Sequence, residues 1–135
     1  MQIREFRIED FTAVIALWQD AGLELNRSDS FEGIRRKIER DPDLFLVIEE
    51  DGQILAAIMA GFDGRRGWVY HMAVHAYGQG RGWGALLLEE LQQRLKAKGC
   101  EKINLLLEPS YTEVIAFFEK QNYRHNDLIF MEKWL

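Results

Sequence analysis

The chain has 135 residues, 47% of them hydrophobic and 29% charged, with a net charge of -5, which suits one globular domain spanning residues 1–135 that buries about two-thirds of its extended surface. The acidic balance argues against nucleic acid as a partner, because phosphate-backbone binding needs a dominant basic face. No apolar run approaches the roughly 20 residues of a membrane span, Met1-Gln2-Ile3-Arg4-Glu5 lacks a secretory core, and the single Cys100 permits no internal disulfide, so a cytoplasmic protein away from membranes is expected.

In chain order, Gln2 to Arg7 alternates as a first strand, and Asp10 to Ala21 follows as a helix with Phe11, Val14, Ile15, Leu17 and Trp18 on its apolar side. Ser30 and Gly33 to Arg40 predict a second short helix that stops before Pro42. Leu44 to Glu49 and Gln53 to Phe62 read as strands joined by Glu50-Asp51-Gly52, a tight-hairpin signal. Asp63-Gly64 turns the chain into a buried strand, Trp68 to Val74. After a helix carrying Leu87, Leu91 and Leu95 and stopping at Gly99, Lys102 to Leu107 forms a strand expected to run parallel to Trp68–Val74. Pro109 and Ser110 open a last helix, and Tyr123 to Trp134 is long enough for a bent closing strand or hairpin. The fold class is α/β (α+β), a mixed, mostly antiparallel sheet with helices on both faces.

Between the Trp68–Val74 strand and the leucine helix lies His75-Ala76-Tyr77-Gly78-Gln79-Gly80-Arg81-Gly82-Trp83-Gly84. Four glycines in seven residues place free backbone amides and the positive end of a helix dipole around one point, an arrangement suited to an anion. A Walker loop would need Lys-Ser or Lys-Thr after its last glycine, and Trp83-Gly84-Ala85 supplies neither. Gly80 to Ala85 fits the dinucleotide pattern G-x-G-x-x-G/A, a weak match by itself; that fold needs several further βαβ crossovers, and the chain after Gly99 has room for about one more helix and two or three strands, so a dinucleotide oxidoreductase stands as a third reading. Gln79-Gly80-Arg81-Gly82-Trp83-Gly84 matches Q/R-x-x-G-x-G/A. On this loop, its flanking strand and helix, and Phe118-Glu119-Lys120-Gln121-Asn122-Tyr123, the sequence resembles the GNAT superfamily of acetyl-CoA-dependent N-acetyltransferases. In Leu44-Phe45-Leu46-Val47 and Gly61 to Gly67 it looks most like the small stand-alone YpeA-type bacterial branch.

The resemblance implies a sheet of six to seven strands, acetyl-CoA as cosubstrate, and acetyl transfer to a primary amine of a small molecule or protein. It places the pantetheine arm along Met72, Ala73 and Val74 and the pyrophosphate on Gln79, Gly80, Arg81, Gly82, Trp83 and Gly84. It also puts the acceptor among residues 22 to 33, the Asp63–Gly67 turn and Tyr123–Asp127. Two family positions depart from the pattern: Leu106 stands where one branch has a glutamate base, and Phe118 where the general-acid tyrosine is usual. A thiol of pKa near 8.5 leaves as thiolate close to neutral pH, so losing the acid costs at most about 10²- to 10⁴-fold. His71, Glu108 or water is the candidate base, and Tyr111 or Tyr123 the candidate substitute acid. His71 and His75 lie about 13 Å apart on a strand, so no metal site is expected. An acyl-CoA-sensing module acting through a protein partner is the competing reading, and monomer and homodimer are both open.

Overall fold

A computed structural model describes all 135 residues. Its strands are β1 (Gln2–Glu5), β2 (Phe45–Glu50), β3 (Gln53–Phe62), β4 (Gly67–Val74) and β5 (Ile103–Leu105). Its helices are α1 (Phe11–Asp20), α2 (Phe31–Arg40), α3 (Trp83–Ala97) and α4 (Thr112–Lys120). The five strands lie in the order β1-β2-β3-β4-β5, antiparallel except for the β4–β5 pair. The β2–β3 turn takes Asp51 (φ 51°) and Gly52 (φ 78°) left-handed, as a two-residue hairpin requires. The helix between β4 and β5 forces the parallel crossover.

Each sheet face has its own core. On one, α3 packs Trp83, Leu87, Leu88, Leu91 and Leu95 against Leu46, Ile48, Ile58 and Val69, with Phe118 of α4 closing the end. On the other, Val14, Leu17 and Trp18 of α1 and Ile34 of α2 pack on Phe45, Val47, Ala57 and Ala73. Trp18 and Phe45 stack at 5.6 Å, and Phe45 stacks on Phe6 at 4.1 Å. At the open end of β1, Arg4 donates to both carboxylate oxygens of Asp10 (2.8 and 3.0 Å) and to Glu49 (2.9 Å), tying α1 to β1 and β2. Burial alone would raise the Asp10 pKa, but hydrogen bonds from Arg4 and the Arg7 amide outweigh it and hold the carboxyl below its ordinary range.

Two local features differ from expectation. The sheet has five strands, not six or seven, because residues 124–135 form no regular structure. Asn122 turns left-handed (φ 70°) after α4, β5 offers only three residues, and its outer edge stays open. Leu128 and Ile129 of this tail are 86% and 90% exposed. In β4, the register against β3 shifts between Ala60↔Val69 and Met59↔His71, so Tyr70 is an extra residue. Strict alternation would put Val69, His71 and Ala73 on one face. The bulge breaks it: Val69 packs toward α3, while His71 meets Trp18 of α1 at 4.6 Å and Ala73 joins the α1 core.

Candidate active site

β4 pairs with β5 only through Gly67, Trp68 and Val69, so from Tyr70 to Val74 it has no partner on that side. Met72, Ala73 and Val74 thus present an unpaired strand edge leading into the glycine loop, the kind of edge an extended ligand can join. The Gln79 side chain lies 3.4 Å from the Val74 carbonyl. Beyond it, the amides of Gly80, Gly82, Trp83, Gly84 and Ala85 have no acceptor within the chain, and the first helical bond is Leu86 N–H to Gly82 O at 3.0 Å. Gly82 is left-handed (φ 77°), as is Gly80 (φ 79°), and a Cβ on either would meet nothing within 4 Å. Open space lined by free amides at the start of a helix of 15 residues fits a pyrophosphate. Trp83 is buried, so only its amide is available.

Arg81 is already engaged. Its Nη1 lies 3.3 Å from Glu50 Oε2, and the guanidinium lies over the rings of Tyr77 (4.3 Å) and Trp83 (5.2 Å). His75 is a turn residue here, its Nδ1 accepting the Tyr77 amide at 3.0 Å.

On the other side of β4 lies a cleft of about 390 Å³. Its wall includes Asp29, Gly33, Trp68, Tyr70, His71 and Trp134. It begins in a 3-10 turn, Arg27–Asp29, capped reciprocally: Asn26 Oδ1 accepts the Ser28 amide at 2.8 Å and Asp29 Oδ2 accepts the Asn26 amide at 3.1 Å. Gly33 permits that turn to press on α2, since a Cβ there would fall 2.1 Å from the Ser28 carbonyl oxygen. Asp29, 6% exposed, then reaches His71, whose Nε2 lies 3.0 Å from Asp29 Oδ1. A carboxylate only accepts, so a neutral imidazole must donate from Nε2, which leaves its Nδ1 lone pair free. Nδ1 has no partner within the chain and is not sealed off: the buried side-chain atom left without a partner is Trp18 Nε1.

The other expected chemical groups are not brought to this point. Glu108 is exposed just past β5, and its carbonyl, not its carboxylate, takes the Tyr111 amide at 3.0 Å. Tyr111 caps α4 through its backbone position and makes no side-chain cap. Tyr123 donates to Gln92 Oε1 at 2.7 Å, and burial pushes its phenol up to about 12. Phe118 is 4% exposed, between Phe117 and Tyr123 at 5.2 Å each, where it packs α4 onto the core. Of the three segments expected around the acceptor, 22–33 and the Asp63–Gly67 turn do line the cleft, but Tyr123–Asp127 does not. Trp134 arrives instead, with Arg27 over its ring at 4.4 Å and donating to the Leu135 carbonyl at 3.2 Å. Trp68, expected in the core, is half-buried in the cleft wall.

A strand edge released from its neighbour runs into a loop of free amides at a helix start, an arrangement suited to an extended anionic ligand. The chain belongs to the GNAT family of acetyltransferases: residues 2–123 match the Acetyltransferase (GNAT) family. It is similar to an acetyltransferase of Pectobacterium atrosepticum, 42% identical over 135 residues, covering all of this chain and 96% of that one. Among solved structures it resembles Ard1 from Thermoplasma volcanium (TM-score 0.84, 19% identity, 93% of this chain and 84% of that one). It also resembles the PaiA N-acetyltransferase from Thermoplasma acidophilum in complex with coenzyme A (TM-score 0.82, 20% identity, 95% and 92%). The chain is therefore an acetyl-CoA-dependent acetyltransferase.

Proposed function

We propose that this protein moves the acetyl group of acetyl-CoA to a primary amine by direct attack in a ternary complex. The amides of Gly80, Gly82, Trp83 and Gly84, with Gln79 and Arg81 beside them, hold the pyrophosphate, while Met72, Ala73 and Val74 pair with the pantetheine arm. The amine enters from the cleft on the opposite side of β4 and loses its proton to His71 Nδ1. Its nitrogen bonds to the thioester carbonyl carbon, the carbon–sulfur bond breaks, and the electron pair leaves on the coenzyme A sulfur. An α-amine with a pKa near 8 needs less help from a base than a lysine near 10.4. The sulfur needs no dedicated acid, consistent with Phe118 and with Tyr123 committed to Gln92.

One observation carries this reading: β4 has an unpaired edge leading to five free amides on one side and His71 in a cleft on the other. The test is thermal stability with acetyl-CoA, coenzyme A and NAD, followed by thiol release against pooled amines. A ligand that binds only the native state raises stability by mass action. A shift with acetyl-CoA together with thiol release is expected. A shift without release would favour an acyl-CoA sensor, and no shift with either coenzyme A form would remove the loop assignment.

A further inference from the structure

We propose that Asp29 is a positioning residue that fixes the proton of His71 on Nε2 and so keeps Nδ1 open to the acceptor amine. The inference rests on the acetyl-transfer reading but comes from a different part of the molecule. Three observations converge on it. The bulge at Tyr70 turns His71 away from the α3 face and toward the cleft. Gly33 lets the Arg27–Asp29 turn approach closely enough to place a carboxylate there. Asp29 itself is clamped, since Oδ2 holds the Asn26 amide at 3.1 Å and only Oδ1 is left for the imidazole at 3.0 Å.

This clamp makes the tautomer switchable by one atom. In Asp29→Asn the new amide must keep its oxygen on the Asn26 N–H, because an NH₂ group there would face a donor. Its NH₂ is then aimed at His71 Nε2, which must become the acceptor, and the ring proton moves to Nδ1. A base held in the wrong tautomer loses its function with little change of shape, as happens when the aspartate of a serine-protease triad is replaced by asparagine. A purely structural Asp29 would have no such effect on the ring.

The experiment reads the tautomer directly, by two-bond proton–nitrogen correlations of the His71 ring in the full chain at a pH where the ring is neutral. Wild type is expected to carry its proton on Nε2, and Asp29→Asn on Nδ1. In parallel, thiol release is measured with the best amine found among peptide α-amines, polyamines and amino sugars. Asp29→Asn is expected to lower kcat about 10²- to 10⁴-fold with the KM for acetyl-CoA unchanged. A wild-type ring protonated on Nδ1 overturns the proposal without any variant, so failure of Asp29→Asn to fold would not protect it. An unswitched ring in a folded variant, or a switched ring with kcat within about twofold of wild type, also overturns it. Absence of wild-type thiol release with every amine would instead defeat the acetyl-transfer reading, while the tautomer measurement would still decide what Asp29 does to His71.

Discussion

The two sides of β4 are built by different physics. The loop side is backbone: free amides, left-handed glycines and a helix start, all within residues 72 to 85. The cleft side is side chains from distant segments, with Asp29 and His71 separated by 42 positions and Trp134 arriving from the chain end. A site made of backbone tolerates many side-chain changes but not an added Cβ and charge. A site made of converging side chains fails when any one approach is disturbed. Each side can therefore be broken alone.

The largest expected effect is on the loop. Gly82→Glu forces a non-glycine residue into φ 77° and puts a carboxylate in the space left open, where it would repel a phosphate. Since a Cβ there touches nothing within 4 Å, the fold should survive while the thermal shift with acetyl-CoA disappears. Normal binding by this variant would remove the loop from the site. On the cleft side, Gly33→Ala drives a methyl against the Ser28 carbonyl at 2.1 Å, and the Arg27–Asp29 turn must retreat. Overpacking of this kind costs about 1–3 kcal/mol. Denaturant melts should show that loss and the amine-dependent rate should fall, with acetyl-CoA affinity kept. Loss of acetyl-CoA binding in Gly33→Ala would mean that the two sides are not separable.

How much of this was legible follows from the same division. The strand, loop and helix of the cofactor side are contiguous, so spacing and glycine content exposed them, as Asp51-Gly52 exposed the β2–β3 turn. The expected helix Asp10–Ala21 is α1 with its ends trimmed, because amphipathic periodicity survives without tertiary information. The expected acceptor segment 22 to 33 contains Asp29, but spacing alone does not match Asp29 to His71, 42 positions away. Simple alternation along β4 points His71 the wrong way, and nothing in Trp68-Val69-Tyr70-His71 announces a bulge at Tyr70. Asn26-x-x-Asp29 is a readable capping signal, yet it accounts for only one of the two Asp29 oxygens. The tail misled for the opposite reason. Leu128-Ile129-Phe130-Met131 has strand composition, but no neighbouring strand takes it up in this fold.

A milder perturbation loosens α4 on the loop side. Tyr123 joins α4 to Gln92 of α3, and burial raises its phenol from about 10 to about 12. A raised folded-state value means that the unfolded chain ionises first. The contribution is thus complete below pH about 10 and is lost as pH rises toward 12. Denaturation midpoints of wild type should fall across that window, and Tyr123→Phe should flatten this part of the decline. An unchanged slope in Tyr123→Phe would place the alkaline sensitivity elsewhere.

The smallest expected effect tests whether the loop side is wholly backbone. Glu50, the last residue of β2, holds Arg81 at 3.3 Å while Tyr77 and Trp83 lie against the guanidinium. If Arg81 meets the pyrophosphate, Glu50 competes with that anion for one cation and adds a repelling charge beside it. Exposed pairs of this kind are worth about 0.2–1 kcal/mol, so Glu50→Gln should tighten acetyl-CoA binding by at most about fivefold. Calorimetry at low and high salt should show the gain shrinking as the charges are screened. Weaker binding in Glu50→Gln would give the pair the opposite role, with Glu50 as the anchor that holds the loop to the end of β2 and Arg81 as its tether. The loop side would then depend on one long-range side-chain contact, as the cleft side does.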